Sequence, residues 1–200
     1  MTDAAILARL LDVIADDIVP KTRAGVADGN KIFGAAILRA SDLSVVVAEA
    51  NNEAENPLWH GEMHALKRLY ERDRASLPAA KDCIFLSTHE PCSLCLSAIT
   101  WTGFDRFYFL FSHQESRDAF AIPYDIRILQ EVYGGGTDGR PLYRRHNAFW
   151  QAHAIREEVD ALPAAKAEPL RERIVAIEAT YRELSEAYQA KKGAAGIPLA

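Results

Sequence analysis

The sequence contains no long apolar run, no strong basic patch and few cysteines. No stretch approaches the roughly 18 uncharged apolar residues of a membrane-spanning helix, so we expect no membrane insertion. The basic pairs Arg144-Arg145 and Lys191-Lys192 are isolated in a chain whose formal net charge is -5. Such a chain repels phosphate overall, and we therefore do not expect it to bind long nucleic acid.

The cysteine pattern excludes a disulfide-stabilised scaffold. There are 3 cysteines, and two of them form Cys92-Ser93-Leu94-Cys95. An odd count with one close pair is typical of a reducing compartment and of metal or redox chemistry. The start, Met1-Thr2-Asp3, also lacks the basic region of a secretory signal peptide. These features predict a cytoplasmic protein.

The apolar pattern predicts an α/β fold. Two hundred residues, 49% of them hydrophobic, fit one domain with at most a short appendage. Strands joined by a crossover helix are parallel, so the order below predicts a mixed sheet with helices on its faces. The predicted elements are a helix from Leu7 that Pro20 ends, a hairpin of strands over 32–38 and 44–48, a helix over 56–77, a strand over 81–87, a helix over 92–101 and a strand over 106–111.

The last part of the chain has a different pattern. A short helix over 126–132 and a glycine loop over 134–136 precede a long apolar stripe. This stripe predicts one helix docked on the domain, with a helix at a dimer interface as the alternative. We place the catalytic domain at residues 1–135 and a helical extension at 136–200. The stripe comprises Leu170, Ile174, Ile177, Tyr181, Leu184 and Tyr188.

Two short motifs carry the chemistry. His60-Gly61-Glu62 and Pro91-Cys92-Ser93-Leu94-Cys95 each lie where a predicted helix begins. One imidazole and two thiolates are three zinc ligands, and a catalytic zinc keeps its fourth position for water. Because Glu62 is two residues from His60, it can reach that water and accept its proton.

Other uses of these residues remain open. His64, one helical turn after His60, could close a purely structural zinc site. The Cys92–Cys95 pair could instead be a redox pair at a helix start. We predict that Cys83 is a buried small apolar residue and that His89 faces solvent in a loop near the metal.

The two motifs together resemble the signature of the cytidine deaminase-like zinc hydrolases, [HC]-x-E followed by P-C-x-x-C. The resemblance implies Zn²⁺ on His60, Cys92 and Cys95, with Glu62 as the proton shuttle. It also implies a three-layer α/β/α sandwich around a mixed five-stranded sheet, to which the C-terminal helices are an extension.

Further stretches narrow the resemblance to guanine deaminases and tRNA adenosine deaminases. Phe33-Gly34-Ala35-Ala36-Ile37 resembles their first strand, and Cys95 to Trp101 resembles C-L-G-A-I-Y-W of guanine deaminases. The chain departs from these relatives in a shorter loop before His60, in Gly61 where alanine is usual, and in His64. The resemblance implies substrate contacts at Phe33, Asn51, Trp101 and Asp125.

The sequence thus predicts a zinc-dependent hydrolytic deaminase of a small aminoheterocycle, most simply a free purine base such as guanine. Cytosine, a nucleoside or a non-nucleic aminoheterocycle are alternative substrates. A different metal enzyme of the same fold and a non-catalytic, zinc-stabilised interaction module are the alternatives of other classes. Because the relatives are oligomers, the resemblance also implies a homodimer.

Overall fold

A computed structural model describes residues 3–136 and 139–199. Its strands are β1 (Gly34–Arg39), β2 (Val45–Ala50), β3 (Cys83–His89), β4 (Arg106–Phe111) and β5 (Gln151–Ala154). They form one sheet in the order β2-β1-β3-β4-β5. β1 pairs antiparallel with β2 and β3, whereas β4 pairs parallel with β3 and β5. The predicted mixed five-stranded sheet is confirmed.

Helices cover both faces of this sheet, which confirms the three-layer architecture. Along β3, Ile84 and Leu86 belong to one apolar cluster, and Phe85 between them belongs to the other. This alternation follows from the two-residue period of a strand whose two faces are both buried. The helices are α1 (Ala4–Asp12), α2 (Val19–Ala27), α3 (Gly61–Tyr70), α4 (Ser93–Thr102), α5 (His113–Asp118), α6 (Tyr124–Glu131), α7 (Ile155–Asp160) and α8 (Ala164–Lys191).

The N-terminal helical segment passes through Pro20, where we expected it to end. Between α1 and α2 the chain forms a wide π-helical turn over Val13–Ile18. Pro20 then lies in the first turn of α2. Because a proline lacks an amide hydrogen and clashes with the carbonyl four residues earlier, a widened turn just before it lets the helix continue.

Helix α3 is much shorter than the predicted helix over 56–77. Asn56 does not cap a helix, because its side-chain oxygen accepts a hydrogen bond from the amide of Leu58 at 3.0 Å and its carbonyl accepts one from Trp59 at 2.8 Å. These bonds fold the segment into turns instead. The helix begins at Gly61, with His60 as its N-cap, so the candidate ligand stands at the very end of α3.

The C-terminal stripe docks on the domain, as predicted. All six of its residues are buried in the apolar cluster that also contains Leu7 and Leu10 of α1. The segment after residue 135 also supplies β5, the edge strand beside β4, which the sequence pattern did not indicate. The boundary at residue 135 stays a prediction.

None of the helices in the described parts of the chain combines the length and the apolarity needed to cross a membrane. The longest, α8, spans 28 residues but carries charged side chains along its exposed side. This agrees with the absence of a long apolar run in the sequence.

Candidate metal and active site

The position of α3 depends on close backbone packing against β1. A Cβ atom on Gly61 would lie 2.5 Å from the Cα of Gly34. Real Cβ atoms do not approach a neighbouring backbone so closely, so glycine at position 61 lets the first turn of α3 lie directly on the strand. His60, immediately before Gly61, is thereby fixed beside the start of β1.

The two cysteines are held by α4, with Cys92 as its N-cap and Cys95 in its first turn. Both are free and buried. The Nδ1 atom of His60 lies 3.4 Å from Cys92 Sγ and 3.8 Å from Cys95 Sγ, and the two sulfur atoms are 3.7 Å apart. The structure therefore brings together the three predicted ligands from two distant motifs.

These separations fit zinc. A tetrahedral zinc ion with bonds of about 2.1 Å to nitrogen and about 2.3 Å to sulfur needs N–S edges of about 3.6 Å and an S–S edge of about 3.8 Å. The observed separations lie close to those values, and the donor set of one imidazole and two thiols is one that zinc prefers. Within the described residues, the group with metal-ligand spacing consists of His60, Cys92 and Cys95.

The three candidate ligands have pKa values that are shifted in different directions. The bond from Cys95 lowers the pKa of Cys92 well below its usual value, and His60 contributes to the same effect. Burial raises the pKa of Cys95, and the negative charge of Cys92 adds to the rise. For His60, burial lowers the pKa, but the Cys92 thiolate outweighs burial and raises it to about 9. Because metal binding must release these protons, affinity for zinc falls as the pH falls.

Glu62 lies against the trio without being part of it. Its carboxyl group is buried, and its Oε2 accepts a hydrogen bond from Cys95 Sγ at 3.3 Å. Burial raises its pKa to about 7, and the charge on Cys92 adds to this effect. A carboxyl group with a pKa near neutrality beside a metal site is suited to accept and return a proton.

His64 does not close the site. Its Nδ1 lies 2.9 Å from the backbone oxygen of Ala50 and 3.8 Å from the carboxylate of Glu49, so the ring is directed at β2. This geometry does not support the alternative of a structural zinc site with four protein ligands. His64 instead ties α3 to the neighbouring strand.

Asp125, in the first turn of α6, is buried. Burial raises its pKa to about 7, and the nearby charge of Cys92 contributes, whereas His113 and His60 act in the opposite direction. Asp125, on a separate helix, is therefore within electrostatic range of Cys92 and His60.

Asn51 and Phe33 are also buried near the beginning of α3. The Asn51 side-chain oxygen accepts the Gly61 amide at 2.6 Å, and its amide nitrogen donates to Glu53 at 2.9 Å. Both ends of this side chain are therefore bonded within the chain. Phe33 packs against His89 in a tilted arrangement, with 4.5 Å between ring centroids.

Trp101 does not join this group within a single chain. It is the ninth residue of α4 and is 90% exposed. It lies six positions after Cys95, which corresponds to about 9 Å along the helix axis. The side chain therefore faces solvent at the far end of α4.

The prediction that His89 faces solvent is wrong. It is the last residue of β3, is 2% exposed, and lies within about 5 Å of four aromatic rings. A histidine can end a buried strand when its neighbours are apolar, and this strand is buried throughout. The rings belong to Phe33, Phe111, Phe120 and Tyr181.

Sequence reasoning missed the support of the cysteine loop by Glu90. This buried carboxylate accepts hydrogen bonds from Tyr143 at 2.6 Å, from Arg145 at 3.1 Å and from the His113 amide at 3.0 Å. Burial would raise the pKa of Glu90, but the bonds from His113 and Tyr143 outweigh it and lower the pKa to about 2. An acid directly before Pro91 is the signal that could have indicated this role.

The comparisons with known proteins agree with this geometry. Residues 17–111 match the family described as the cytidine and deoxycytidylate deaminase zinc-binding region. No curated protein matches the sequence.

Solved structures of guanine deaminases resemble the fold. The enzyme from Bacillus subtilis is 24% identical, with 74% of this chain and 88% of that chain covered and a TM-score of 0.50. A guanine deaminase from Nitrosomonas europaea is 17% identical, with 87% and 85% covered and a TM-score of 0.46. A structure from a study of tRNA:A34 deaminases is 21% identical, with 47% and 71% covered and a TM-score of 0.39.

The match over residues 17–111 contains all three clustered ligands and Glu62. The Bacillus subtilis structure supports the fold, and the family match supports zinc binding at the site. Residues 17–111 are therefore similar to the zinc-binding region of cytidine and deoxycytidylate deaminases, and within that region His60, Cys92 and Cys95 are positioned to hold zinc.

Proposed function

We propose that the substrate is a free purine base such as guanine, and that the chain hydrolyses its exocyclic amino group to a carbonyl group. The observation that carries the hydrolytic part is the buried Glu62 carboxyl group beside the three metal ligands. The purine part is supported by the resemblance of Phe33 to Ile37 and of Cys95 to Trp101 to guanine deaminases.

His60, Cys92 and Cys95 would hold the zinc ion, which supplies a Lewis acid that lowers the pKa of water to about 7. Glu62 takes a proton from the attacking water and transfers it to the ring nitrogen next to the reacting carbon. A carbon–oxygen bond forms at that carbon. Glu62 then moves the second proton of the water to the amino group, the carbon–nitrogen bond breaks, and ammonia leaves.

Asp125 and Phe33 would bind the heterocycle. The Asp125 carboxyl group, whose pKa is raised to about 7, can pair with a ring N–H or with a ring nitrogen. Phe33 offers an apolar ring on the β1 side of the site. Asn51 stays a predicted substrate contact, although both ends of its side chain already have partners within the chain.

The proposal includes a homodimer in the cytoplasm. The resemblance to an oligomeric family supports the dimer, and the Trp101 side chain, which is 90% exposed, is accessible to a partner chain. We assign Trp101 to the contact between two chains, because within one chain it lies too far along α4 to cover the metal ligands.

The test is a coupled ammonia assay with the zinc-loaded protein over purine bases, cytosine, nucleosides, pterins and triazines. We expect ammonia from guanine and a product in which NH is replaced by O, as mass spectrometry measures. Release from cytosine or a nucleoside alone would replace the purine assignment. No release from any compound, with the zinc site intact, would favour a non-catalytic interaction module. The Glu62→Gln variant is the matched control for background hydrolysis.

A further inference from the structure

A buried ion pair lies beside the metal ligands. Lys31 and Glu53 are 7% and 3% exposed, and Lys31 Nζ lies 2.6 Å from Glu53 Oε1. The backbone amide of Lys31 also donates to Glu53 Oε2 at 3.2 Å. Burying two charges is costly, and their attraction offsets that cost only when the geometry is good and the remaining hydrogen-bonding groups have partners. A pair like this calls for a role beyond stability.

The pair is connected to the start of α3 through Asn51. Glu53 Oε2 accepts from Asn51 Nδ2 at 2.9 Å, and the Gly61 amide donates to Asn51 Oδ1 at 2.6 Å. Because a carboxylate can only accept, Glu53 fixes the amide group of Asn51 on its own side and turns the carbonyl oxygen toward Gly61. Glu53 thus sets the orientation of the Asn51 side chain, whose oxygen binds the first amide of α3.

The same carboxylate faces the metal-binding histidine. His60 directs Nδ1 at the two sulfur atoms, and its other ring nitrogen, Nε2, lies 3.9 Å from Glu53 Oε1. This separation is longer than a hydrogen bond, so the interaction is electrostatic. A negative charge on that side favours the proton on Nε2 and leaves the lone pair of Nδ1 for the metal.

Lys31 keeps this carboxylate in place. Its ammonium group and its backbone amide bind both oxygens of Glu53, which fixes the direction of the carboxylate plane. Lys31 directly precedes the first-strand stretch, and Glu53 lies in the loop that is shorter than in the relatives. Neither residue belongs to the two zinc motifs.

We infer that Lys31 and Glu53 are positioning residues for the metal site, acting on His60 through its Nε2 and on α3 through Asn51. The inference depends on the zinc site and not on which heterocycle is the substrate. If no compound released ammonia in the assay above, this inference would be unaffected. Its own test measures how fast the protein loses zinc.

The test compares Glu53→Gln with Glu55→Gln, an exposed residue of the same loop. Zinc-loaded proteins are mixed with excess chelator, and the rate of zinc loss is measured. Removal of a carboxylate that orients a metal-bound histidine typically costs about 10- to 100-fold in metal affinity. We expect zinc to leave Glu53→Gln about 10- to 100-fold faster than it leaves the wild-type protein, and to leave Glu55→Gln at the wild-type rate. Equal zinc retention in both variants would overturn the inference.

A second readout separates positioning from general destabilisation. Nitrogen NMR of His60 in the zinc-loaded protein reports on the surroundings of Nε2. We expect the same Nε2 chemical shift in the wild-type chain and in Glu55→Gln, and a displaced Nε2 shift in Glu53→Gln, because the facing negative charge is lost. An unchanged Nε2 shift in Glu53→Gln would contradict the role through His60.

If Glu53→Gln does not fold, Glu53→Asp takes its place. Aspartate keeps the carboxylate charge but, being one methylene group shorter, moves it away from Lys31 and His60. We then expect an intermediate rate of zinc loss in the folded protein. Lys31→Arg should retain zinc better than Lys31→Met, because a guanidinium can still bind the carboxylate. Wild-type retention in both Glu53→Asp and Lys31→Met would refute the inference.

Discussion

The buried His89 makes the stability of the metal-free chain sensitive to acid. Thr88 Oγ1 donates to the carbonyl of Gly34 at 3.1 Å and also lies 3.0 Å from His89 Nδ1. Nε2 is buried and has no hydrogen-bond partner among the described residues. A proton added there would create a charge among aromatic rings.

Burial accordingly lowers the pKa of His89 well below 6.5, and the nearby His113 adds to the effect. The unfolded chain takes up the proton below about pH 6.5, whereas the folded chain does not. The contribution of His89 to the free energy of unfolding is therefore fully present above that pH and decreases as the pH falls below it. One pH unit below, the loss amounts to about 1.4 kcal/mol.

The assay is urea unfolding of metal-free protein at about pH 7.5 and about pH 5.5. We expect the wild-type chain to lose about 1.4 kcal/mol more than His89→Phe between these conditions. Other titrating groups are common to both proteins and cancel in the difference. His146→Gln, which replaces an exposed histidine, should behave like the wild type. If His89→Phe shows the same pH dependence as the wild type, the buried neutral imidazole is not the cause.

Three further changes test the site and the assembly. Glu62→Gln should keep zinc, as metal analysis measures, and lower kcat for ammonia release by about 10²- to 10⁴-fold, because the proton acceptor is lost; wild-type kcat would contradict this. Asp125→Asn should raise KM by roughly tenfold with less effect on kcat, because one bond to the heterocycle is weakened in ground and transition states alike. An unchanged KM would remove Asp125 from the substrate site. Trp101→Ser should leave monomer stability within about 0.5 kcal/mol and reduce the dimer fraction in light scattering, and an unchanged dimer would remove Trp101 from the interface.

The zinc site could be predicted because its chemistry is local in the sequence. His60 and Glu62 are neighbours on one helix end, and Cys92 and Cys95 are neighbours on another, so only the meeting of two segments had to be inferred. The parallel crossover that brings them together followed from the order of strands and helices. Strands β1 to β4 and the long C-terminal helix also followed from local apolar patterns, whereas the edge strand β5 did not.

Features that depend on contacts between distant, non-periodic residues could not be predicted. The pair of Lys31 and Glu53 joins two loop residues, and nothing in their local sequence indicates burial. The start of α3 was misplaced because the side chain of Asn56 bonds its own loop instead of capping a helix. The position of Trp101 in space depends on how far α4 extends past the metal ligands, which a motif does not encode.

Gly61 shows how a departure from the family pattern acquires a physical reason in the structure. Alanine is usual at this position in the family that the motifs resemble, and here a Cβ atom would meet the backbone of Gly34 at 2.5 Å. The first turn of α3 thus lies closer to β1 than a side chain would allow. That closeness brings the Gly61 amide within 2.6 Å of Asn51, and through Asn51 it reaches Glu53. The glycine and the buried carboxylate are therefore joined through Asn51 in one arrangement at the start of α3.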